Sequence, residues 1–192
     1  MDPVTIANEG TLIYDNITKN SNAVVTRILS LYDLTATKEA LLDSYTPGQT
    51  ITYITRVENT GSASLYNLTI VDDLANGTLQ YIDTSIEGYL NGSPIEVDVQ
   101  KTANTVTFKI DNVLNPNDNV LIIFETTTPT TNPEQITNTQ TITANGGSTT
   151  GPIVAVTPNP SASVKLANYV SLDITKSANK ASIYSGESLV YT

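Results

Sequence analysis

The chain has 192 residues, no cysteine, histidine or tryptophan, and 9 Lys+Arg against 19 Asp+Glu, for a formal net charge of −10. Without imidazole or thiol there is no disulfide, no thiol or Ser-His-Asp nucleophile, no zinc or blue-copper centre and no haem held by His or thiolate. The acidic balance argues against tracking of nucleic-acid phosphates and against a polybasic membrane anchor, which leaves carboxylate chemistry, structural work or binding.

Hydrophobic residues make up 39% of the chain and charged residues 15%. Uncharged polar residues fill the difference: 31 Thr and 19 Asn, with 10 Tyr against 2 Phe. Thr and Tyr suit a half-exposed pleated sheet, and Val/Ile/Leu alternation persists from end to end, so this is an all-β composition with a core and not a disordered tail. No stretch approaches the roughly 18 consecutive apolar residues of a membrane-spanning helix. Residues 1–10 carry neither a basic segment nor the apolar run of a leader, which fits a leader already removed or export by another route.

Period-two alternation bounded by Gly, Asn, Pro and Asp predicts strands over residues 11–14, 23–28, 32–37, 50–58, 65–72, 79–85, 95–99, 105–110, 119–127, 136–144 and 153–157, with one helical turn near 39–43. Asn91-Gly92 is the strongest hairpin signal, and Asn59-Thr60-Gly61 and Asn145-Gly146-Gly147 are further turns. Strands at this spacing, without crossover helices, give an antiparallel sandwich or barrel.

The chain repeats itself. Leu34-Thr-Ala-Thr-Lys38 returns as Leu172-Asp-Ile-Thr-Lys176; ten residues after each Lys stands Gly48 or Gly186, and five further on stands Tyr53 or Tyr191. Ile6-Ala-Asn8-Glu-Gly-Thr11 aligns with Ile136-Thr-Asn138-Thr-Gln-Thr141, and both lead through a polar turn into a Val-rich segment. The expected organisation is a hairpin over residues 1–30 resembling the last strands of a repeat, a complete domain over 31–157, and a linker with the first strands of a truncated repeat over 158–192. A lone two-stranded hairpin is marginal in water and exposes unpaired edges, so both ends call for a partner.

The run Leu34-Thr-Ala-Thr-Lys38, then Tyr45-Thr-Pro-Gly-Gln-Thr-Ile-Thr-Tyr53, Val57-Glu-Asn-Thr-Gly61 and Leu65-Tyr-Asn-Leu-Thr-Ile-Val-Asp72-Asp-Leu74 resembles the repeat called domain of unknown function 11. The likeness is strong over residues 34–74, resumes at 136–143 and restarts at 172–191. Gln49 replaces an acidic residue of that pattern, and the proline usual after Asp-x-Leu is missing at Ala75. The resemblance implies an immunoglobulin-like antiparallel β-sandwich used in tandem in bacterial and archaeal surface proteins, adhesin stalks and spore appendages. It implies an extracellular location on a cell or spore surface and no catalytic activity on a substrate; no cofactor or metal is expected.

Side-chain parity points to chemistry inside such a sandwich. Lys38 shares a strand face with Leu34 and Ala36, Asp72 with Leu68 and Ile70, and Asn138 with Ile136, Ile142 and Ala144. An apolar core drives a lysine towards its neutral amine and an aspartic acid towards its protonated form. Those forms suit a spontaneous amide bond from Lys38 to Asn138, with Asp72 as the catalytic proton shuttle and Glu125 as an alternative acid. Intramolecular Lys-Asn bonds are familiar in bacterial immunoglobulin-like stalk domains, which this constellation resembles. A plainer reading stands beside it: Lys38 at a strand end reaching water, Asp72 capping a turn, Asn138 satisfying a bulge.

The run Asp111-Asn-Val-Leu-Asn115-Pro-Asn117-Asp118-Asn119 offers oxygen ligands for calcium but lacks calcium-loop spacing and reads as a turn. The adjacent Asp72 and Asp73 point to opposite faces and cannot flank one glycosidic bond. The offset repeat predicts self-assembly: the N-terminal hairpin of one copy completes the truncated repeat of the next, head to tail, with Asn8 reacting with Lys176 between subunits. The alternative is an adhesin or stalk module that acts as a single or tandem domain and binds a host protein or glycan through its loops.

Overall fold

Alternation of buried and exposed side chains organises the chain. The computed structural model describes residues 4–28, 31–131, 133–167, 177–179, 181–182, 184–188 and 190. Its first four strands are β1 Val4–Asn8, β2 Thr11–Tyr14, β3 Ile17–Asn20 and β4 Val24–Ile28. There follow β5 Thr35–Ala40, β6 Ser44–Tyr45, β7 Thr50–Glu58, β8 Leu65–Asp72, β9 Gln80–Tyr81, β10 Glu87–Leu90, β11 Ser93–Ile95, β12 Asp98–Lys101 and β13 Val106–Ile110. The last are β14 Asn119–Thr127, β15 Gln135–Gly146, β16 Ile153–Ala155 and β17 Ser161–Leu166.

From β5 onward the strands form two facing sheets. One runs β11-β10-β14-β7-β5, with β9 beside β14; the other runs β12-β13-β8-β15-β17-β6, with β16 beside β15. Neighbours are antiparallel apart from the parallel pair of β17 and β6. Each long strand turns every second residue inward: Ile51, Tyr53, Thr55 and Val57 on β7, Val120, Ile122, Phe124 and Thr126 on β14, Leu68, Ile70 and Asp72 on β8. Phe108 packs 5.0 Å from Phe124 between ring centroids, and Tyr53 stacks on Phe124 at 5.5 Å, so aromatic rings fill the centre. The fold is an all-β immunoglobulin-like sandwich: strand spacing left a sandwich or a barrel open, and the family resemblance implied the immunoglobulin-like form.

Strands β1 to β4 stand apart as a two-stranded ribbon. β1 pairs with β4 from Val4↔Ile28 to Asn8↔Val24, and β2 with β3 from Thr11↔Asn20 to Tyr14↔Ile17. The two halves meet where Gly10 N–H donates to Ser21 Oγ at 2.9 Å, and the tip is Asp15-Asn16, both with positive φ as a tight hairpin turn requires. Every side chain from residue 6 to residue 26 is exposed.

Several expected boundaries move. Residues 31–34 do not join β5, because the Leu31 carbonyl accepts from Ser62 and Ala63 N–H and Thr60 Oγ1 donates to Asp33 Oδ2 at 2.8 Å. The loop at Asn59-Thr60-Gly61 thus clamps the chain where it comes into the sandwich. The helical turn expected near 39–43 is a strand end followed by a bend; Leu74–Gly77 instead form a left-handed turn, with positive φ at all four residues. Strand 79–85 shrinks to β9, 95–99 divides between β11 and β12, and β1, β3, β6, β10 and β17 match no expected strand. The turn expected at Asn145-Gly146-Gly147 starts only at Gly147, which has positive φ: β15 runs through Gly146, where the ring of Tyr32 leaves no room for a Cβ. The domain also runs past residue 157, because β17 pairs with β15 from Gln135↔Lys165 to Thr139↔Ser161.

Replacing the fully buried Phe108 by Ala opens a cavity at the aromatic centre. Phe108→Ala is expected to cost about 3–5 kcal/mol of unfolding free energy, read from the urea midpoint; a loss under about 1 kcal/mol would show that the ring does not hold the sheets together.

Candidate functional site

Strand register carries three sequence-predicted residues to one place between the sheets. Lys38 lies on β5 opposite Thr55 of β7. Asp72 ends β8 opposite Gln140 of β15, and Asn138 lies two residues before Gln140 on the same face. Lys38 Nζ is 2.5 Å from Asp72 Oδ2, and both side chains are fully buried. Lys38 therefore does not reach water, contrary to the plainer reading.

The surroundings are apolar on one side and polar on the other. Lys38 Nζ sits 4.8 Å from the ring centroid of Tyr53 and 5.7 Å from that of Phe124, a cation–π arrangement. Burial pushes the Lys38 amine below its ordinary 10.5, and the charges of Asp72 and Asp73 oppose that shift. Burial, and then the charge of Asp72, push the Tyr53 hydroxyl upward. That hydroxyl is buried beside Asn138 without a well-formed hydrogen bond.

Asp72 is surrounded by donors. Oδ1 accepts from Leu74 N–H at 2.9 Å, and Oδ2 accepts from Gln140 Nε2 at 3.0 Å and Asn138 Nδ2 at 3.4 Å besides Lys38. Asp72 thus also caps the turn after β8. In that turn Leu74, Ala75 and Asn76 all have positive φ, at 47°, 52° and 56°, a conformation that costs about 1–2 kcal/mol for an ordinary L residue. It aims the Ala75 N–H at Asn138 Oδ1, 3.2 Å away, and at Asp73 Oδ1, 2.9 Å away. Ala75 stands where the resembled pattern has proline, which has no N–H to give.

Other predicted residues lie elsewhere. Glu125 is on the outer face of β14, between the inward Phe124 and Thr126, and its Oε1 accepts from Thr52 Oγ1 at 3.3 Å; it does not meet Lys38. Asn8 is exposed on β1 opposite Val24. Lys176 lies outside the described residues. Asp118 closes a turn, accepting from Asn115 N–H and Asn91 Nδ2, each at 2.7 Å. Sequence reading missed Gln140, Thr55, Tyr53 and Ala75. Parity could have found Gln140, which shares the inward face of Asn138, and Tyr53 and Thr55, which alternate along β7. The positive φ at Ala75 has no sequence signal.

No protein-family model matches the chain, and no curated protein matches it. Among solved structures the fold is similar to BcpA, the major pilin subunit of Bacillus cereus, with a TM-score of 0.51 at 13% identity over 83% of this chain and 47% of the pilin. It is also similar to a variant of that pilin, with TM-score 0.52 and 11% identity over 97% of this chain and 67% of the other. The full-length major pilin SpaD from Corynebacterium diphtheriae gives a TM-score of 0.53 at 13% identity over 67% of this chain and 33% of the pilin. At these identities the likeness is one of fold, and the chain spans about half the length of the first of these pilins.

The lowered Lys38 value has a consequence for stability. In an Asn138→Ala chain, the folded form binds fewer protons at Lys38 than the unfolded form between the lowered value and 10.5. Its unfolding free energy is therefore expected to rise with pH up to 10.5 relative to the same chain carrying Lys38→Met and Asp72→Asn, in which this titration is absent. Denaturant unfolding across that range measures the difference, and a flat difference would contradict it.

Proposed function

We propose that the chain is a non-enzymatic structural module of a bacterial surface fibre, of the pilus or spore-appendage kind, whose sandwich is locked by an autocatalytic amide between Lys38 and Asn138. The carrying observation is the buried contact of Lys38 Nζ with Asp72 Oδ2 at 2.5 Å, with the Asn138 carboxamide on the same carboxylate oxygen. The pilin-like fold and the resemblance to tandem surface repeats support the same reading.

The chemistry balances within the site. A proton passes from Lys38 Nζ to Asp72 Oδ2, giving a neutral amine and a neutral acid. Nζ attacks Asn138 Cγ, and the Ala75 N–H supports the negative charge that develops on Oδ1. The second amine proton passes to Nδ2, the Cγ–Nδ2 bond breaks and ammonia leaves. Asp72 keeps the first proton. Both reacting groups are held in one dry site, so proximity supplies most of the acceleration, and the event occurs once per chain.

Assembly is head to tail through the N-terminal ribbon. Its pairs Ile6↔Thr26 and Asn8↔Val24 repeat the domain's Ile136↔Val164 and Asn138↔Ala162, and the β2–β3 hairpin repeats the pairing of β15 with β16. In the domain that ribbon is flanked by β8 and β6. In β1 to β4 the corresponding faces expose Ile6, Leu12, Tyr14 and Val24, each at 54% or more. The ribbon enters a sandwich that begins with the repeat motifs at 172–191 of another copy, which sets Asn8 against Lys176. Such a contact does not close on itself and propagates as a filament.

The intact mass of the purified chain is expected to be lighter by one ammonia than its sequence requires, and Lys38→Met or Asn138→Ala to restore the full mass; a full mass in the unaltered chain would reject the bond. Concentrated chain is expected to form filaments by electron microscopy and boiling-resistant ladders on denaturing gels. Deleting residues 1–28 abolishes both, while Asn8→Ala keeps the filaments and loses the ladders. A full-length chain that stays monomeric at high concentration would overturn the assembly.

A further inference from the structure

Gln140 is fully buried and is bonded at both ends of its amide. Nε2 donates to Asp72 Oδ2 at 3.0 Å, and Oε1 accepts from Thr55 Oγ1 at 2.9 Å. Thr55 is itself fully buried and stands directly opposite Lys38 on β7. The amide therefore has one orientation, with its N–H on the oxygen that must take the lysine proton. A donor to a charged oxygen is roughly twice as strong as one to a neutral oxygen. Each such bond thus favours the ammonium–carboxylate pair over the neutral amine and acid from which the bond forms.

We propose that Gln140 is a positioning residue that restrains cross-linking: anchored by Thr55, it holds Asp72 Oδ2 in the ion-paired arrangement with Lys38, so the amide closes slowly once the two sheets are in place. This rests on the cross-link reading given above. Gln140 is on one sheet and Thr55 on the other, so the restraint exists only when the sandwich is closed. At the corresponding place the N-terminal ribbon has Gly10, which has no side chain to form such a bond.

The test is the rate of closure in newly made full-length chain. Pulse-labelled protein from cell-free synthesis is quenched over time, and loss of ammonia is followed by intact mass. Gln140→Met, of similar length but without the donor, is expected to close about tenfold faster than wild type. Thr55→Val, which removes only the anchor, is expected to close faster by a smaller factor and decides the matter if Gln140→Met does not fold. A merely structural role predicts the opposite sign, since loosening the site would slow the reaction. Closure of wild type with no acceleration in either variant would overturn this inference alone, as would a bond mapped by peptide digestion to Gln140 instead of Asn138. If no chain ever loses ammonia, the cross-link reading falls and this inference falls with it.

Discussion

A single lysine held between two sheets is the centre of the polar interior. An unpaired charge at such a depth costs several kcal/mol, and Lys38 stays inward only because Asp72 Oδ2 lies 2.5 Å away and two aromatic faces line the remaining side. Asp72 in turn needs donors on both oxygens. They come from the left-handed turn after β8 and from two carboxamides on β15. The same cluster ties the sheets together, because Lys38 and Thr55 belong to one and Asp72, Asn138 and Gln140 to the other.

The two ribbons of the chain show what that cluster requires. The ribbon of β15 with β16 and β17 lies between β8 and β6 and turns Ile136, Asn138, Gln140, Ile142 and Ala144 inward. The ribbon of β1 to β4 has the same pairing and an asparagine at the same register, yet its apolar side chains face outward and its edges pair with no other strand among the described residues. Similar strand patterns therefore meet different fates according to whether neighbouring strands cover them. An exposed apolar ribbon with free edges is a hazard in a monomer and a natural joint in a fibre.

Much of the fold was legible because period-two alternation is a strong signal when one side of a strand is buried. The limits 50–58, 65–72 and 119–127 coincide with β7, β8 and β14 for that reason. Where long-range contacts override local pattern, the reading slipped. Residues 31–34 have strand-like character but are clamped by the loop after β7, and Asn145-Gly146 has turn chemistry but lies in β15 beneath Tyr32. The segment after residue 157 reads as a linker, yet β17 finds partners in β15 and β6.

Parity alone put Lys38, Asp72 and Asn138 on core-facing sides, because alternation is a local property of an extended backbone. Composition alone removed thiol and imidazole chemistry. That these three residues meet, that Glu125 does not join them, and that Gln140 with Thr55 and Ala75 N–H complete the site were decided by tertiary structure. Which strands become neighbours depends on sheet order and register, and the direction of the Ala75 N–H depends on a strained turn. Neither is encoded in the alternation of side chains along one strand.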